Sequence, residues 1–372
     1  MVDVGVKRPL NVLVALDSFK GTLSSLEVNE FVARAWEKHR PQDIIRQKQM
    51  ADGGEGTIEV IVADRNCTID DVFVWDALHE KRHKVRLYWE DTRALFDLAS
   101  CCGIEGVSHL DPWHADTWGL GEVIAYVVKE GATEINIGIG SSASMDCGWG
   151  MLKAIDAHLN GIPPVGAPPH YGLGCLAETD PQEVRELIAR LKLPQIYFMA
   201  DVDNNLSNAV RLFGPQKGLD IEDVDPCSRV LQHFGAIMGD YFLLKGAGAA
   251  GGVGTALYAL GGTAISGAHS VAVMTRVDTL IETADVIITG EGRLDGSTLR
   301  GKVPQYFVER APERVICLAG SMEGTARDYD FEEYIIMAAH SPLEVCMNDP
   351  ETAIERAVDA YFRDKLGLDD EY

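Results

Sequence analysis

No apolar run in this sequence approaches the roughly 18 residues of a membrane-crossing helix, and no charged-then-apolar leader stands between Met1 and Leu10. Positive charge is also scarce: 33 Lys plus Arg face 57 Asp plus Glu, a formal net charge of −24. Nucleic acid and anionic membrane both select a basic face, so neither is expected as a partner. An anionic substrate must be held by a few local cations against a repelling field. There is no C-x-x-C pair, and the eight cysteines follow no regular framework, so reduced thiols and a cytoplasmic location are expected. Internal repeats and low-complexity tracts are absent. What remains is 372 residues, 46% of them apolar, a composition that suits two or three globular domains.

The most informative stretch is Thr289 to Pro304, TGEGRLDGSTLRGKVP. The apolar run Ala284 to Ile288 predicts a short buried strand leading into it, and apolar spacing resumes after Pro304 as a helix. Strand, polar glycine loop and helix is the layout of an anion site, because glycines let backbone N–H groups reach phosphate oxygens and a cation neutralises the charge. Gly296, Gly301 and Lys302 fit the spacing G-x-x-x-x-G-K, and the carboxylates Glu291 and Asp295 accompany Gly292 and the cations Arg293 and Arg300. Val303 follows Lys302, where a Walker-type phosphate loop needs Ser or Thr for magnesium, so the match is a near miss. A tight turn closed by a proline in the first helical turn reads the same way.

Other loops repeat the theme. The strand Asn11 to Leu16 ends at Asp17, and Ser24 with Glu27 forms a capping box that opens a helix with Val28, Phe31, Val32, Ala35 and Trp36 on one face. Asp17, Ser18 and Lys20 therefore sit outside the carboxyl end of a strand, where open α/β sheets bind ligands. MADGGEGT, Met50 to Thr57, sets Asp52 and Glu55 around Gly53 and Gly54, either facing a cavity or solvating a turn. The strand Glu134 to Ile139 runs into GSSASMDCGWGM, whose Ser141, Ser142, Ser144 and Asp146 suit a phosphate or carboxylate at a helix start. The strand Ile196 to Ala200 delivers Asp201, Asp203 and Asn204, a set that holds magnesium, activates a hydroxyl, or simply forms an Asx turn. FGPQKG adds Lys217, and the Pro- and Gly-rich stretch from Asn160 to Gly174 is a surface excursion.

Two motifs fail on context. His79-Glu80-Lys81-Arg82-His83 matches H-E-x-x-H, which works only on a helix, where two histidines share a face. Its flanks, Asp71 to Trp89, alternate with strand period, so it reads as a chance hit in a hairpin turn with no third ligand evident. Gly246, Gly248 and Gly251 have G-x-G-x-x-G spacing, but a dinucleotide fingerprint needs a clean preceding strand and an acid about 20 residues on. Both are missing, which excludes NAD and leaves close helix packing or phosphate contact.

Assembled in order, these segments resemble the type I glycerate kinase family. The carriers are ALDSFKGTLSSLEV (15–28), MADGGEGT (50–57), IGIGSSASMDCGWGM (137–151), ADVDN with FGPQKG (200–204 and 213–218), GAGAAGGVG (246–254), TGEGRLDGSTLRGKVP (289–304) and LAGS (318–321). The resemblance spans nearly the whole chain. It implies ATP-dependent phosphorylation of D-glycerate at the 2-hydroxyl, giving 2-phosphoglycerate, with Mg2+. It also implies an α/β fold: a Rossmann/flavodoxin-like three-layer domain at about 1–70 plus 280–372, a second α/β domain inserted at 71–279, and the active site in the cleft between them. Glycerate and ATP are the expected partners; homo-oligomerisation stays open.

The resemblance also distributes roles. Asp17 and Lys20 would touch transferred phosphate or metal, and Asp201, Asp203 and Asn204 would serve magnesium or orient the acceptor hydroxyl, with Glu291 as a further metal ligand. Arg293, Arg300 and Lys302 would clamp carboxylate or phosphates beside Asp295, while Ser18, Gly53, Gly54, Glu55, Ser142, Asp146, Lys217 and Gly292 would line the substrate site. Phosphoryl transfer needs mainly positioning and charge neutralisation, which such a set supplies. The chain departs from the family pattern at Ser141, where a second glycine is usual, at Met145, Cys147 and Trp149, and in a shortened loop from Asn205 to Leu212. A kinase of a related sugar acid such as a tetronate, or a non-catalytic sensor of glycerate or nucleotide, are the alternatives.

Overall fold

The structure, a computed structural model, describes residues 3–54, 56–63, 65–200, 204–296, 298, 302–325, 328–329, 331 and 333–367. Glu55, Asp201, Asp203 and Arg300, all expected at the site, lie outside the described residues. The strands in chain order are β1 (Asn11–Val14), β2 (Ile44–Gln47), β3 (Thr68–Trp75), β4 (Arg82–Glu90), β5 (Arg93–Asp97), β6 (Glu134–Gly138), β7 (Gln195–Met199), β8 (Thr263–Ile265), β9 (Val286–Leu294), β10 (Val315–Met322) and β11 (Glu333–Ile336). The chain divides into two compact units, 1–52 with 268–372, and 53–267. The boundaries lie earlier than the expected 70 and 280. Helix Thr57–Val62 packs on β5 and β6, and the Tyr306 hydroxyl donates to Asp278 at 2.6 Å, tying that segment to the outer unit.

The outer unit is an all-parallel five-stranded sheet ordered β11-β10-β9-β1-β2. Counted within the unit alone, this is the doubly wound order 2-1-3-4-5. β1 and the first halves of β9 and β10 read as continuous apolar runs because both faces are covered there, while the edge strand β2 is mostly exposed. Val12, Val14, Val286, Ile288, Ile316 and Leu318 pack against helices Ser25–His39 and Pro350–Leu366, while helix Val303–Val308 packs on β9 and β10. The capping box of Ser24 and Glu27 opens the first of these helices, and its buried Trp36 meets Phe362 edge-on at 4.8 Å. β9 is longer than the apolar run indicated. β10 runs beside it as far as Met322, so Glu291, Gly292 and Arg293 continue the strand and the loop begins only at Asp295.

The inserted unit is a six-stranded sheet ordered β3 through β8, antiparallel from β3 to β5 and parallel from β5 to β8. The H-E-x-x-H residues occupy the β3–β4 hairpin, and His83 bonds the Ser100 carbonyl at 2.8 Å, away from His79. The glycines of the failed fingerprint serve packing. Gly251 and Gly252 adopt left-handed backbone within helix Ala249–Ala259, and a Cβ on Gly251 would strike the Ser144 carbonyl. All eight cysteines are free, and no helix among the described residues is long and apolar enough to cross a membrane.

Candidate active site

In the outer unit the strand order reverses between β1 and β9, the place where doubly wound sheets open a crevice at their carboxyl ends. Asp17 leaves β1 there, its N–H donating to the Gly290 carbonyl at 3.0 Å, and Glu291 stands one residue further along β9. A Cβ on Gly292 would lie 3.3 Å from Phe19 Cα, so a residue without one lets the 17–20 loop settle on β9. The crevice is a cavity of about 330 Å³. Asp17, Ser18, Lys20, Glu291, Gly292, Arg293, Asp295 and Lys302 all line it, uniting two segments about 270 residues apart.

Its charges are paired unequally. Lys302 Nζ reaches Glu291 Oε2 at 2.7 Å with both side chains largely buried, and the Thr298 hydroxyl donates to Glu291 Oε1 at 2.6 Å. Burial alone would lower the Lys302 pKa, but the Glu291 charge and hydrogen bond, with Asp52 and Asp295, outweigh it and hold the ammonium charged. Lys20 Nζ meets Asp52 Oδ2 at 3.1 Å, with the lysine 65% exposed. Arg293 pairs with Glu323 at 3.0 Å in the open. Asp17 is the misfit. Its burial, then the nearby Asp52 and Glu291 charges, push its pKa well above the usual carboxylate range against the opposing pull of Lys20 and the Ser18 N–H.

Among the described residues expected in the inserted unit, Gly53, Gly54, Ser142, Asp146 and Lys217 are buried and Asn204 is half-buried. Lys217 is buried and donates to Ser142 Oγ and the Ser144 carbonyl, both at 2.7 Å; burial pushes its pKa down to about 8 against the Asp146 charge. Asp146 accepts from the N–H groups of Thr117, Gly148 and Gly150 and from the Thr117 hydroxyl, and burial with the Asp116 charge raises it to about 6. The Gly53 carbonyl accepts the Gly140 N–H at 3.2 Å, and Gly54 packs against Gly140. The Asn204 carbonyl accepts the Gly248 N–H at 3.0 Å. Trp149 is core, 2% exposed and edge-on to Phe234 at 5.7 Å, so it fills the hydrophobic interior and not a ligand space.

Thr298 was not singled out by sequence, although it stands three residues from Asp295, whose N–H donates to its hydroxyl at 3.0 Å. The apolar side of the cavity was also invisible. Met337, Leu343 and Met347 come from a segment with no glycine loop or charged motif to mark it.

A doubly wound α/β unit whose switch-point cavity is lined by carboxylates and lysines, with a second α/β unit inserted in its chain, has the design of an enzyme acting on a small anionic molecule. The chain belongs to the Glycerate kinase family, which it matches over residues 12–364. It is 32% identical to a glycerate kinase of Bacillus subtilis strain 168 over 331 residues, 86% of each chain. It is 33% identical to the glycerate 2-kinase of Escherichia coli K12, over 84% of this chain and 86% of that one. A crystal structure from Salmonella typhimurium LT2 assigned as a glycerate kinase 2 superposes with a TM-score of 0.69 at 29% identity, covering 97% of this chain and 98% of that one.

Proposed function

We propose that this protein is a glycerate kinase that transfers the γ-phosphoryl group of ATP to the 2-hydroxyl of D-glycerate, giving 2-phosphoglycerate and ADP, with magnesium. The observation that carries this reading is the gathering of Asp17, Glu291, Lys20 and Lys302 around the strand-switch cavity of a glycerate kinase family chain, with Asp52 paired to Lys20 beside it. The acceptor oxygen forms a bond to the γ-phosphorus as the bond to the β–γ bridging oxygen breaks, and that electron pair leaves with ADP. The hydroxyl proton passes to Asp17, whose raised proton affinity suits a general base. Lys20, Lys302 and the exposed Arg293 neutralise phosphate and carboxylate oxygens. Met337, Leu343 and Met347 offer an apolar wall for a planar base.

The carboxylates of Asp52 and Glu291 are hard oxygen donors whose mutual repulsion favours a cation, so they fit magnesium and leave Asp17 to accept the proton. Held by those carboxylates, magnesium would supply positive charge to offset the negative charge developing on the transferred phosphoryl group. Asp201, Asp203 and Arg300 keep the metal and anion roles that the family resemblance implies. The test is ADP release from purified protein with ATP and magnesium, scanning D-glycerate, L-glycerate, tetronates and glycerol, with phosphorus NMR of the product. Turnover on D-glycerate with a 2-phosphate product is expected. Preference for a larger acid, or binding without turnover, would overturn it.

A further inference from the structure

A second cluster lies in the inserted unit, around a histidine of the discarded H-E-x-x-H. His79 holds a left-handed backbone, φ 55, in the β3–β4 turn, with its side chain 1% exposed. For a residue other than glycine that conformation costs of order 1 kcal/mol, so the surrounding structure must hold it in place. Its Nε2 is 2.9 Å from Asp116 Oδ1, and its Nδ1 is 3.2 Å from the Pro168 carbonyl oxygen. His170, exposed, lies parallel to it with ring centroids 4.8 Å apart, and its Nδ1 is 3.2 Å from the His114 carbonyl oxygen. The Asp116 carboxylate is oriented by the N–H groups of Trp118 at 2.8 Å and Tyr171 at 2.7 Å.

One ligand atom from each of His79, Asp116 and His170 lies within 4.8 Å of the other two. A tetrahedral zinc ion with bonds of about 2.0–2.1 Å sets its ligands about 3.4 Å apart, so binding opens the 2.9 Å His79–Asp116 contact slightly and draws the exposed His170 inward. Each imidazole already bonds a main-chain carbonyl through one nitrogen, the arrangement that fixes ring orientation and tautomer in metal-binding histidines. We propose that His79, Asp116 and His170 form a divalent transition-metal site of the zinc class, with a fourth position open to water. The ion ties the Pro- and Gly-rich excursion 160–174 to the β3–β4 turn and to the start of helix Trp118–Lys129. Imidazole donors separate this site from the all-carboxylate cluster of the outer unit, since magnesium takes oxygen ligands and zinc takes nitrogen.

The experiment is titration of chelator-treated full-length protein with Zn2+ and with Co2+ as its spectroscopic substitute, read by calorimetry, visible absorption and thermal unfolding. One equivalent should bind, Tm should rise, and the cobalt spectrum should lack thiolate charge transfer. His170→Ala, at an exposed side chain, should fold as the parent does and weaken binding by at least about tenfold; His79→Ala should do the same where it folds. Absence of stoichiometric binding, unchanged affinity in His170→Ala, or a thiolate band placing the ion on cysteine would each overturn the proposal. None of these readouts depends on turnover of glycerate or ATP.

Discussion

Asp17 carries an electrostatic conflict: it is buried beside Asp52 and Glu291. The folded chain binds its proton more tightly than the unfolded chain does, so its contribution to stability is present in acid and is lost as pH rises through the raised folded-state value. Holding this carboxyl in its buried place beside two other acids therefore costs stability as pH rises, a burden that a functional role accounts for. Asp17→Asn should raise Tm at pH 7, by about 2 °C or more, while lowering turnover; a lower Tm in thermal unfolding would contradict this. The two lysines of the cavity should separate in the same assays. Lys20 is mostly in solvent, so Lys20→Ala should cost less than about 1 kcal/mol. Lys302→Ala strands the buried Glu291 carboxylate and should cost about 3 kcal/mol. Both should lower kcat by more than about tenfold, since each removes a cation from the transferred charge. Adding Glu291→Gln to Lys302→Ala should recover stability in urea melts without recovering turnover; recovery of both would remove Lys302 from the chemistry.

Among the elements, the 140–148 loop carries two left-handed residues other than glycine, Ser141 and Cys147. Ser141 adopts φ 60, a left-handed backbone that favours glycine, and its carbonyl is fixed by the Ile104 N–H at 2.9 Å. Ser141→Gly should stabilise the protein by about 0.5 kcal/mol, the left-handed penalty less the extra entropy of an unfolded glycine, as measured by denaturant unfolding. This scale also shows what the sequence could and could not tell. Period and capping gave away β1, the Ser24 cap, the β3–β4 hairpin and the strand–loop–helix units, because those signals are local. The extension of β9 through Glu291 and Arg293 was hidden, since polar and glycine residues are poor strand formers and only the pairing with β10 keeps them extended. Asp146 is ambiguous for a related reason: an acid before a helix reads alike whether it awaits a ligand or satisfies the helix's own N–H groups, and here it accepts from those of Gly148 and Gly150. The apolar wall at Met337, Leu343 and Met347 was illegible because a side chain's place on a cavity is a tertiary fact.

At the scale of the whole molecule, a net charge of −24 surrounds the few cations that the proposed chemistry requires. Fold and family follow from chain-long features: the doubly wound strand order, the inserted unit, and a match from residue 12 to 364. The proposed catalysis depends on far fewer atoms, above all on Asp17 as acceptor of the glycerate hydroxyl proton. The measurement that tests it most directly is the pH dependence of kcat/KM for D-glycerate phosphorylation in the parent protein and in Asp17→Asn. The parent should lose activity in acid with an apparent pKa above the ordinary carboxylate range, and Asp17→Asn should be at least about 100-fold slower with that acid limb absent. An Asp17→Asn enzyme with the parent's rate and the same acid limb would contradict the account.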